Sequence, residues 1–385
     1  MDPSSSSKTT TTIKWGIVGL GDVCQTKSGP AFFKCQGSDL VAVMRRTPGK
    51  AAEWVAQQSP QGSDCQGYDN LDAFLQHPSL QAVYISTRPG THLELCRKVA
   101  EAGKAVYVEK PVGRCAAEAM EMAALCQQAG VPFYTAYISR AYERTLAIRK
   151  LLADPNNNIV GDTVTQIQYT LVGNGGARGM EQDGQSLPWR LIAKEAGGGL
   201  IMDVGCHVID RIDYLCGPLH DVQGQAENRA SRDLQKVEDY VHFDAKIGPS
   251  DWAATSSEGA SVSCTWDFTG ATAEERDELV LTGPKGSLRM AGMSANGPIE
   301  VLDTSGTVIR TIDDFVMPQH TAQGLIQAVT NDMRGLDVHP PCLVSRADNA
   351  IRTQKVIDTV LASYYGGREV GYWDRSPESW PGYHS

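Results

Sequence analysis

The stretch "IKWGIVGLGDVC" (residues 13–24) decides the fold of the first third of this chain. Its first six residues, 13–18, are mostly apolar, which is typical of a buried β-strand. Gly19 and Gly21 follow at once, in the pattern G-x-G-x-x-G with Cys24 in its third position. Such glycines permit a tight turn and let a pyrophosphate approach the backbone, although any strand-to-helix turn can carry the same pair. Because this pair opens the first strand–helix unit, the pattern favours a dinucleotide-binding turn.

Strands and helices alternate outward from this stretch as far as residue 136. Further apolar strands are predicted at 39–44, 81–86, 105–108 and 132–137. Helices are predicted at 49–58, 71–77 (with Asn70 as its cap), 92–103 and 116–130. Apolar strands that alternate with helices indicate a parallel, doubly wound sheet, so we expect an α/β Rossmann-type domain over residues 13–136.

The pattern changes after residue 136. A helix near 141–153, a long alternating strand at 162–173, a glycine-rich loop and a helix at 200–215 precede seven short strands. These are predicted at 219–228, 239–247, 261–268, 277–282, 286–291, 299–303 and 307–312, and helices near 321–334 and 346–364 follow. The order predicts an α+β C-terminal domain over residues 137–385 with a large, mostly antiparallel open sheet. Residues 1–12, rich in Ser and Thr, are predicted to be a disordered tail.

Composition excludes several classes of partner. The 385 residues carry a net charge of −10 and no long basic run, which argues against binding to nucleic acid or to an anionic membrane. No apolar run reaches about 18 residues, so no transmembrane helix is expected. The ten cysteines are scattered without a C-x-x-C pair, so we predict reduced, buried thiols, no metal site and a cytoplasmic location.

The end of the second strand indicates which dinucleotide binds. An NAD-dependent enzyme ordinarily places Asp or Glu there to accept a hydrogen bond from the ribose 2′-hydroxyl. This chain instead has Arg45, Arg46 and Thr47. Two guanidiniums suit a 2′-phosphate, although a solvated surface Arg pair is the alternative. The sequence therefore favours NADP(H) over NAD(H).

A charged pair ends the strand at 105–108. Glu109 and Lys110 precede Pro111, which restricts Lys110 and can adopt a cis peptide bond. Ligands bind at the carboxyl ends of strands in such sheets, so Lys110 is a candidate site residue. The alternative is an ordinary surface Glu–Lys pair.

A second candidate constellation lies in "AGGGLIMDVGCHVIDRIDYLCG" (residues 196–217). Asp203, His207, Asp210 and Tyr214 recur at helical spacing and therefore share one face, beside an apolar stripe. A polar stripe is usually a solvated surface, but such a surface seldom combines His and Tyr with acidic residues. The preceding glycines also let a ligand or another backbone approach closely.

From residue 13 onward the sequence resembles the Gfo/Idh/MocA oxidoreductase family. The resemblance rests on Gly19-x-Gly21, "STRPGTH" (86–92), "EKP" (109–111), "AGGG" (196–199), Asp203-x-x-x-His207 and "TAQGLIQAV" (321–329). It implies that Lys110, Asp203 and His207 are catalytic and line the site beside the nicotinamide. It also implies an open-faced sheet that forms a homodimer or a larger homo-oligomer. Cys24 and Arg88, where a proline is more usual, depart from the family pattern.

Further site residues are predicted around this core. The predicted cofactor contacts are Gly19, Gly21, Asp22, Val23, Arg45, Arg46, Thr87, His92, Glu109 and Lys110. The predicted substrate contacts are Tyr137, Trp189, Arg190, Asp203 and His207. Trp189 can stack on a sugar face and Arg190 can bind hydroxyls or a carboxylate, but a structural Trp–Arg corner is equally compatible. Tyr137 and Arg140, just beyond the sixth strand, could also face the cleft.

The resemblance implies hydride transfer accompanied by proton transfer. Lys110 would act as base in oxidation or as acid in reduction, and we expect burial and a positively charged nicotinamide to depress its pKa. His207 could share the proton and Asp203 could orient either group, so the proton stays unassigned between Lys110 and His207. The favoured function is an NADP(H)-dependent oxidoreductase acting on a sugar, polyol or related small molecule. The alternatives are a nicotinamide-assisted glycoside hydrolase or lyase, and a non-catalytic NADPH-binding regulator.

Overall fold

The computed structural model describes residues 11–153, 160–161, 163–173, 187–231, 235–248, 259–270, 274–369 and 371–383. Nearly all of the predicted disordered tail and of the predicted glycine-rich loop lies outside the described residues. Within the described part of the chain, no helix is both long and apolar enough to cross a membrane.

The N-terminal part forms a six-stranded parallel sheet in the order β3-β2-β1-β4-β5-β6. Its strands are β1 (Ile13–Val18), β2 (Ser38–Met44), β3 (Gln66–Tyr68), β4 (Ala82–Ile85), β5 (Ala105–Val108) and β6 (Phe133–Thr135). Its helices are α1 (Lys50–Gln58), α2 (Leu71–Leu75), α3 (His92–Glu101) and α4 (Ala116–Ala129). The strand order reverses direction between β1 and β4, and in doubly wound sheets the ligand crevice opens at such a switch point. The predicted Rossmann-type fold is confirmed.

The connection from β1 to β2 is irregular. The chain forms a π-helical turn at Cys24–Ser28 and a 3-10 turn at Gly29–Phe33, where doubly wound folds ordinarily have an α-helix. Pro30 has no backbone N–H to continue an α-helix. A Cβ on Gly29 would lie 2.6 Å from the carbonyl oxygen of Cys24, so the turn also requires glycine at that position.

The remainder forms an eight-stranded sheet in the order β14-β13-β12-β11-β7-β10-β9-β8, in which only the β7–β10 pair is parallel. Its strands are β7 (Gln166–Val172), β8 (Leu219–Glu227), β9 (Tyr240–Ile247), β10 (Ala260–Asp267), β11 (Arg276–Gly283), β12 (Gly286–Met290), β13 (Ile299–Leu302) and β14 (Val308–Ile312). The accompanying helices are α5 (Glu143–Ala153), α6 (Ala193–Ala196), α7 (Cys206–Cys216), α8 (Gln323–Met333) and α9 (Ala347–Tyr365). The predicted mostly antiparallel sheet is therefore confirmed.

One face of this large sheet is covered and the other is open. Along β9 and β10, buried side chains such as Phe243 and Trp266 alternate with more exposed ones such as Asp244 and Ser261. This alternation is typical of an antiparallel sheet with one solvated face. Helix α9 packs on β8 and β9, and the turn that leads into α7 lies against Trp266 of β10.

The last quarter of the chain returns to the N-terminal sheet. Tyr134 of β6 forms an isolated antiparallel bridge with Arg346, and its hydroxyl donates to Asp332 at 2.5 Å. On the other side, the amide of Gln36 donates to the side chain of Gln327 in α8 at 2.7 Å. These contacts fasten the C-terminal segment to the edge strand β6 and to the turn that precedes β2.

Candidate active site

The glycine turn after β1 lies at the switch point of the N-terminal sheet. Gly19 has φ of +97°, and a Cβ there would lie 2.4 Å from the carbonyl oxygen of Ser86, just after β4. Only glycine allows the two loops to approach this closely. At Gly21, no described atom lies within 4 Å of where a Cβ would sit, and Asp22 beside it is exposed. The turn therefore offers open backbone to a phosphate, as a dinucleotide site requires.

Arg45 connects the end of β2 to this turn. Its Nη1 donates to the carbonyl oxygen of Leu20 at 3.0 Å, while Arg46 is exposed. The structure thus places Arg45 at the edge of the glycine turn and leaves the exposed Arg46, the next residue, available to a ligand.

Two predicted cofactor contacts hold the loops after β4 and β5 together. His92 is completely buried, and its ring nitrogens face the carbonyl oxygens of Thr87 at 3.1 Å and Val112 at 3.2 Å. Glu109 is also buried and accepts hydrogen bonds from the Tyr84 hydroxyl and from the amide of Lys110. Both side chains are buried and bonded to protein atoms, and the direct cofactor contact that the sequence predicted for His92 and Glu109 stays a prediction.

Lys110, just after β5, is bonded to Asp203. The Lys110–Pro111 peptide is cis, one of the two effects considered from the sequence. Lys110 Nζ donates to the Asp203 carboxylate at 2.7 Å and to the Asp203 carbonyl oxygen at 2.9 Å. The two side chains are only 17% and 20% exposed, so the pair is poorly screened by water. Lys110 is therefore not an ordinary surface Glu–Lys residue.

The contact with Asp203 corrects the expectation for the pKa of Lys110. Burial by itself would lower the pKa of Lys110, but the neighbouring Asp203, Cys206 and Glu109 together outweigh burial, and the pKa is raised above its ordinary value. The predicted depression of the Lys110 pKa is thus wrong for the protein without cofactor. Burial would raise the pKa of Asp203, but Lys110 and Arg190 outweigh it and hold that pKa well below its usual range.

Arg190 binds the other oxygen of Asp203. Its Nε donates to Asp203 at 2.8 Å, and its guanidinium lies 4.5 Å from the ring centre of Trp189. Asp203 therefore joins Lys110 and Arg190, and the partly exposed Trp189 lies beside them.

His207 follows Asp203 on an irregular helical segment. A π-helical turn, Ile201–Gly205, precedes α7, and such turns are frequent at functional sites. Burial and the charge of Lys110 lower the pKa of His207 well below its ordinary value. Its Nδ1 has no hydrogen-bond partner among the described residues, and Tyr137 packs edge-on against the ring. His207 is thus a neutral imidazole with a free nitrogen; Tyr137 is fully buried behind it, and its direct substrate contact stays a prediction.

The rest of the polar stripe is structural. Asp210 is fully buried and accepts two hydrogen bonds from Arg140, at 2.9 Å from Nε and 2.7 Å from Nη2. Tyr214 is buried under the guanidinium of Arg140. The suggestion that Arg140 faces the cleft is therefore wrong, because α7 is packed on all sides beyond His207 and Arg140 neutralises its buried acid.

Two residues near Lys110 have no motif in the sequence that marks them as site residues. Burial raises the pKa of Tyr142, and the charges of Arg211 and Lys110 oppose this rise. The exposed Lys27 lies close enough to lower the pKa of both Glu109 and His207 slightly. Tyr142 could have been found from its position beyond β6, and Lys27 from its position in the first turn after the glycines.

Among the described residues, no group of three or more His, Cys, Asp or Glu side chains could hold a metal ion. All ten cysteines are described, and they are free thiols.

Comparison with known proteins identifies the same two parts. Residues 13–137 match the family model described as "Oxidoreductase family, NAD-binding Rossmann fold", and residues 163–289 match the "GFO/IDH/MocA C-terminal domain". The chain is 29% identical over 346 residues to Oxidoreductase P35 of Formosa agariphila, covering 87% of this chain and 95% of that protein. It is 25% identical over 236 residues to 1,5-anhydro-D-fructose reductase of Ensifer adhaerens, covering 59% and 64%. A solved levoglucosan dehydrogenase in complex with NADH and levoglucosan has the same fold, with a TM-score of 0.71 at 18% identity and coverage of 91% and 96%.

Proposed function

Because the chain belongs to the Gfo/Idh/MocA family of oxidoreductases, we propose that it transfers hydride between NADP(H) and a sugar, polyol or related small molecule. It is an NAD(P)-dependent dehydrogenase or reductase; its preference for NADP(H), its substrate class and its site residues are our proposal. The observation that carries the proposal is the Lys110–Asp203 pair at the carboxyl end of β5. His207, whose pKa is lowered, follows Asp203 by one helical turn.

Lys110 and His207 are the two side chains that can carry the proton of the reaction. When bound, the nicotinamide supplies or accepts the hydride. Lys110, with its raised pKa, is protonated at neutral pH and can donate a proton to a carbonyl oxygen during reduction. His207, whose pKa is lowered, has a free Nδ1 and can share this proton. Because a reaction and its reverse pass through the same transition state, we propose one proton path for both directions: Lys110 is the acid in reduction and, once deprotonated, the base in oxidation, and His207 can relay the proton.

Asp203 and Arg190 would position the substrate. Asp203 keeps Lys110 charged and holds its ammonium 2.7 Å from a carboxylate oxygen. Arg190, held by the same carboxylate, and the neighbouring Trp189 form a corner with an aromatic face and a cation. Sugars bind to such corners because ring C–H groups pack on the aromatic face while hydroxyls reach the charged groups. The name of one relative, 1,5-anhydro-D-fructose reductase, supports this substrate class.

Arg45 and Arg46 support NADP(H). The end of β2 carries two cations where an NAD-dependent enzyme carries an acid, and Arg45 is already fixed to the glycine turn. The open polar face of the large sheet supports a homodimer or larger homo-oligomer, and ten free thiols suit a reducing compartment such as the cytoplasm.

The test is a panel of anhydrosugars, aldoses, polyols, sugar acids, dihydrodiols and small ketones, each with NADPH or NADP⁺, read by NADPH absorbance. We expect net, stoichiometric turnover of the cofactor with at least one sugar or polyol, and its loss in Lys110→Met. Glycoside cleavage that needs the cofactor only in catalytic amounts, with no net oxidation or reduction of it, would contradict the proposal and favour nicotinamide-assisted hydrolysis or elimination. Tight NADPH binding without turnover across the panel would also count against it.

A further inference from the structure

The segment that follows α9 places one buried cation between three parts of the fold. The side chain of Arg368 is 0% exposed. Its Nη1 donates to Asp358 of α9 at 2.8 Å. Its Nη2 lies 2.5 Å from the carbonyl oxygen of Arg114 and 2.5 Å from that of Gly197.

The two carbonyl groups belong to the two loops that carry the proposed catalytic residues. Arg114 ends the loop that begins with Lys110, and Gly197 belongs to the glycine run that leads to Asp203. These loops touch where Arg368 binds them, because a Cβ on Gly197, whose φ is +91°, would lie 2.5 Å from the Arg114 carbonyl oxygen. The spacing of the two loops is therefore set at the point that Arg368 bridges.

Neighbouring contacts fasten both loops to the same segment and to α9. The guanidinium of Arg114 lies 3.4 Å from the ring centre of Trp373. Asp358, the partner of Arg368, also accepts the backbone N–H of Ala116 at the start of α4, at 2.7 Å. These contacts make Arg368 part of a rigid support, so a small change in its geometry reaches both loops.

We propose that Arg368 is a positioning residue for catalysis, which holds the Lys110 loop and the Asp203 loop at the separation that lets Lys110 and Asp203 pair. This inference rests on the proposed function. A planar guanidinium can donate to three acceptors on three elements in a fixed geometry, which a single ammonium cannot do. A displacement of about 1 Å in a reacting group can cost about 100-fold in rate. Arg368 lies outside the residues that either family model matches.

The first test needs no substrate. Arg368→Lys keeps the charge beside Asp358 but cannot also donate hydrogen bonds to the carbonyl oxygens of Arg114 and Gly197 at the same time. The matched control is Arg375→Lys on the same segment, since Arg375 bonds the carbonyl oxygens of Tyr372, Tyr365 and Gly367 and neither catalytic loop. In amide hydrogen exchange of the full chain, peptides over 109–118 and 196–203 should exchange about tenfold faster in Arg368→Lys alone. Unchanged exchange in both peptides would overturn the proposal.

The second test is kinetic, with the best substrate of the panel. Arg368→Lys should lower kcat by about 10- to 100-fold and leave the Kd for NADPH within about twofold, because Arg368 makes no contact with the glycine turn. Arg375→Lys should leave kcat unchanged. Wild-type kcat in a folded Arg368→Lys would overturn the proposal. If Arg368→Lys does not fold, Asp358→Asn, which weakens the ion pair with Arg368, should also speed amide exchange in the two loops and lower kcat.

Parallel measurement of Lys110→Met separates the two proposals. Loss of turnover in Lys110→Met but not in Arg368→Lys refutes only the positioning role. Retained turnover in Lys110→Met refutes the proposed chemistry, and faster loop exchange in Arg368→Lys would then still establish the structural link between the loops.

Discussion

Replacement of Lys110 by Met tests the proposed chemistry most directly. Methionine keeps a stem of similar length and removes only the ammonium that donates to Asp203 at 2.7 Å. A general acid or base ordinarily contributes about 100- to 10,000-fold to rate. We therefore expect kcat for carbonyl reduction to fall by that factor, which corresponds to about 3–5 kcal/mol in activation free energy.

The structure predicts a much smaller effect on stability. Removal of one partner from a buried ion pair commonly costs about 3–5 kcal/mol, because the other charge is left alone. In Lys110→Met, Asp203 would still be paired with Arg190, which lies 2.8 Å away. The Lys110–Asp203 pair is also partly exposed to water. We expect the free energy of unfolding to fall by about 1–2 kcal/mol at most, so loss of activity will not reflect loss of fold.

The assay compares Lys110→Met with Lys194→Met. Lys194 is a well-exposed lysine whose ion pair with Asp374, at 3.0 Å, should contribute little. Initial rates in both directions, Kd for NADPH and urea unfolding should be measured for each. We expect the Kd for NADPH to be nearly unchanged and kcat/KM to fall by the same factor in both directions, because a variant cannot change the equilibrium constant of the reaction. A kcat within about threefold of wild type in Lys110→Met would refute the reasoning.

Three further predictions concern the cofactor, the assembly and pH. Arg45→Ala should weaken NADP⁺ binding by about tenfold or more and NAD⁺ binding much less, because a charge-assisted contact is worth about 1.5–3 kcal/mol; equal losses in fluorescence titrations of both cofactors would contradict this. Light scattering at micromolar concentration should give a dimer or larger, since the polar face of the large sheet has no helix over it among the described residues, and a monomer would count against it. Asp203→Asn should be less stable than wild type near neutral pH, because Lys110 and Arg190 hold the pKa of Asp203 low in the fold despite its burial. A carboxyl group whose pKa is lowered by folding stabilises the folded protein above its unfolded-state pKa of about 4, and this stabilisation is lost as the pH falls through the folded-state pKa. The difference in urea midpoint between wild type and Asp203→Asn should therefore shrink on acidification. A difference that stays constant with pH would contradict the prediction.

Periodicity in the sequence predicted most of the strands and helices, but not the short strand β3 (Gln66–Tyr68). The strand expected at 261–268 is Ala260–Asp267 and the helix expected at 346–364 is Ala347–Tyr365. Alternation of apolar and polar residues depends on which face is buried, which is a local property. The π-helical turn at Ile201–Gly205 was not predicted, because a one-residue widening does not alter that pattern visibly.

The contacts of the site were less accessible to sequence reasoning. Lys110 and Asp203 were both identified, but their direct pairing across 93 residues follows only from the packing of two loops. The sign of the Lys110 pKa shift was missed for the same reason, since it depends on a distance to a carboxylate. Asp210 looked equivalent to Asp203 along the helix, and only the buried Arg140 distinguishes the two.

The position of Arg368 in the chain has a consequence for biosynthesis. A nascent polypeptide folds from its N-terminus while the remainder is still being made. The N-terminal sheet, including the glycine turn and Lys110, can form early, but the side chain that bridges its loop to the Asp203 loop is translated long afterwards. Partly synthesised chains should thus be able to bind the dinucleotide before they can turn it over, which would keep incomplete molecules from consuming reduced cofactor on the ribosome.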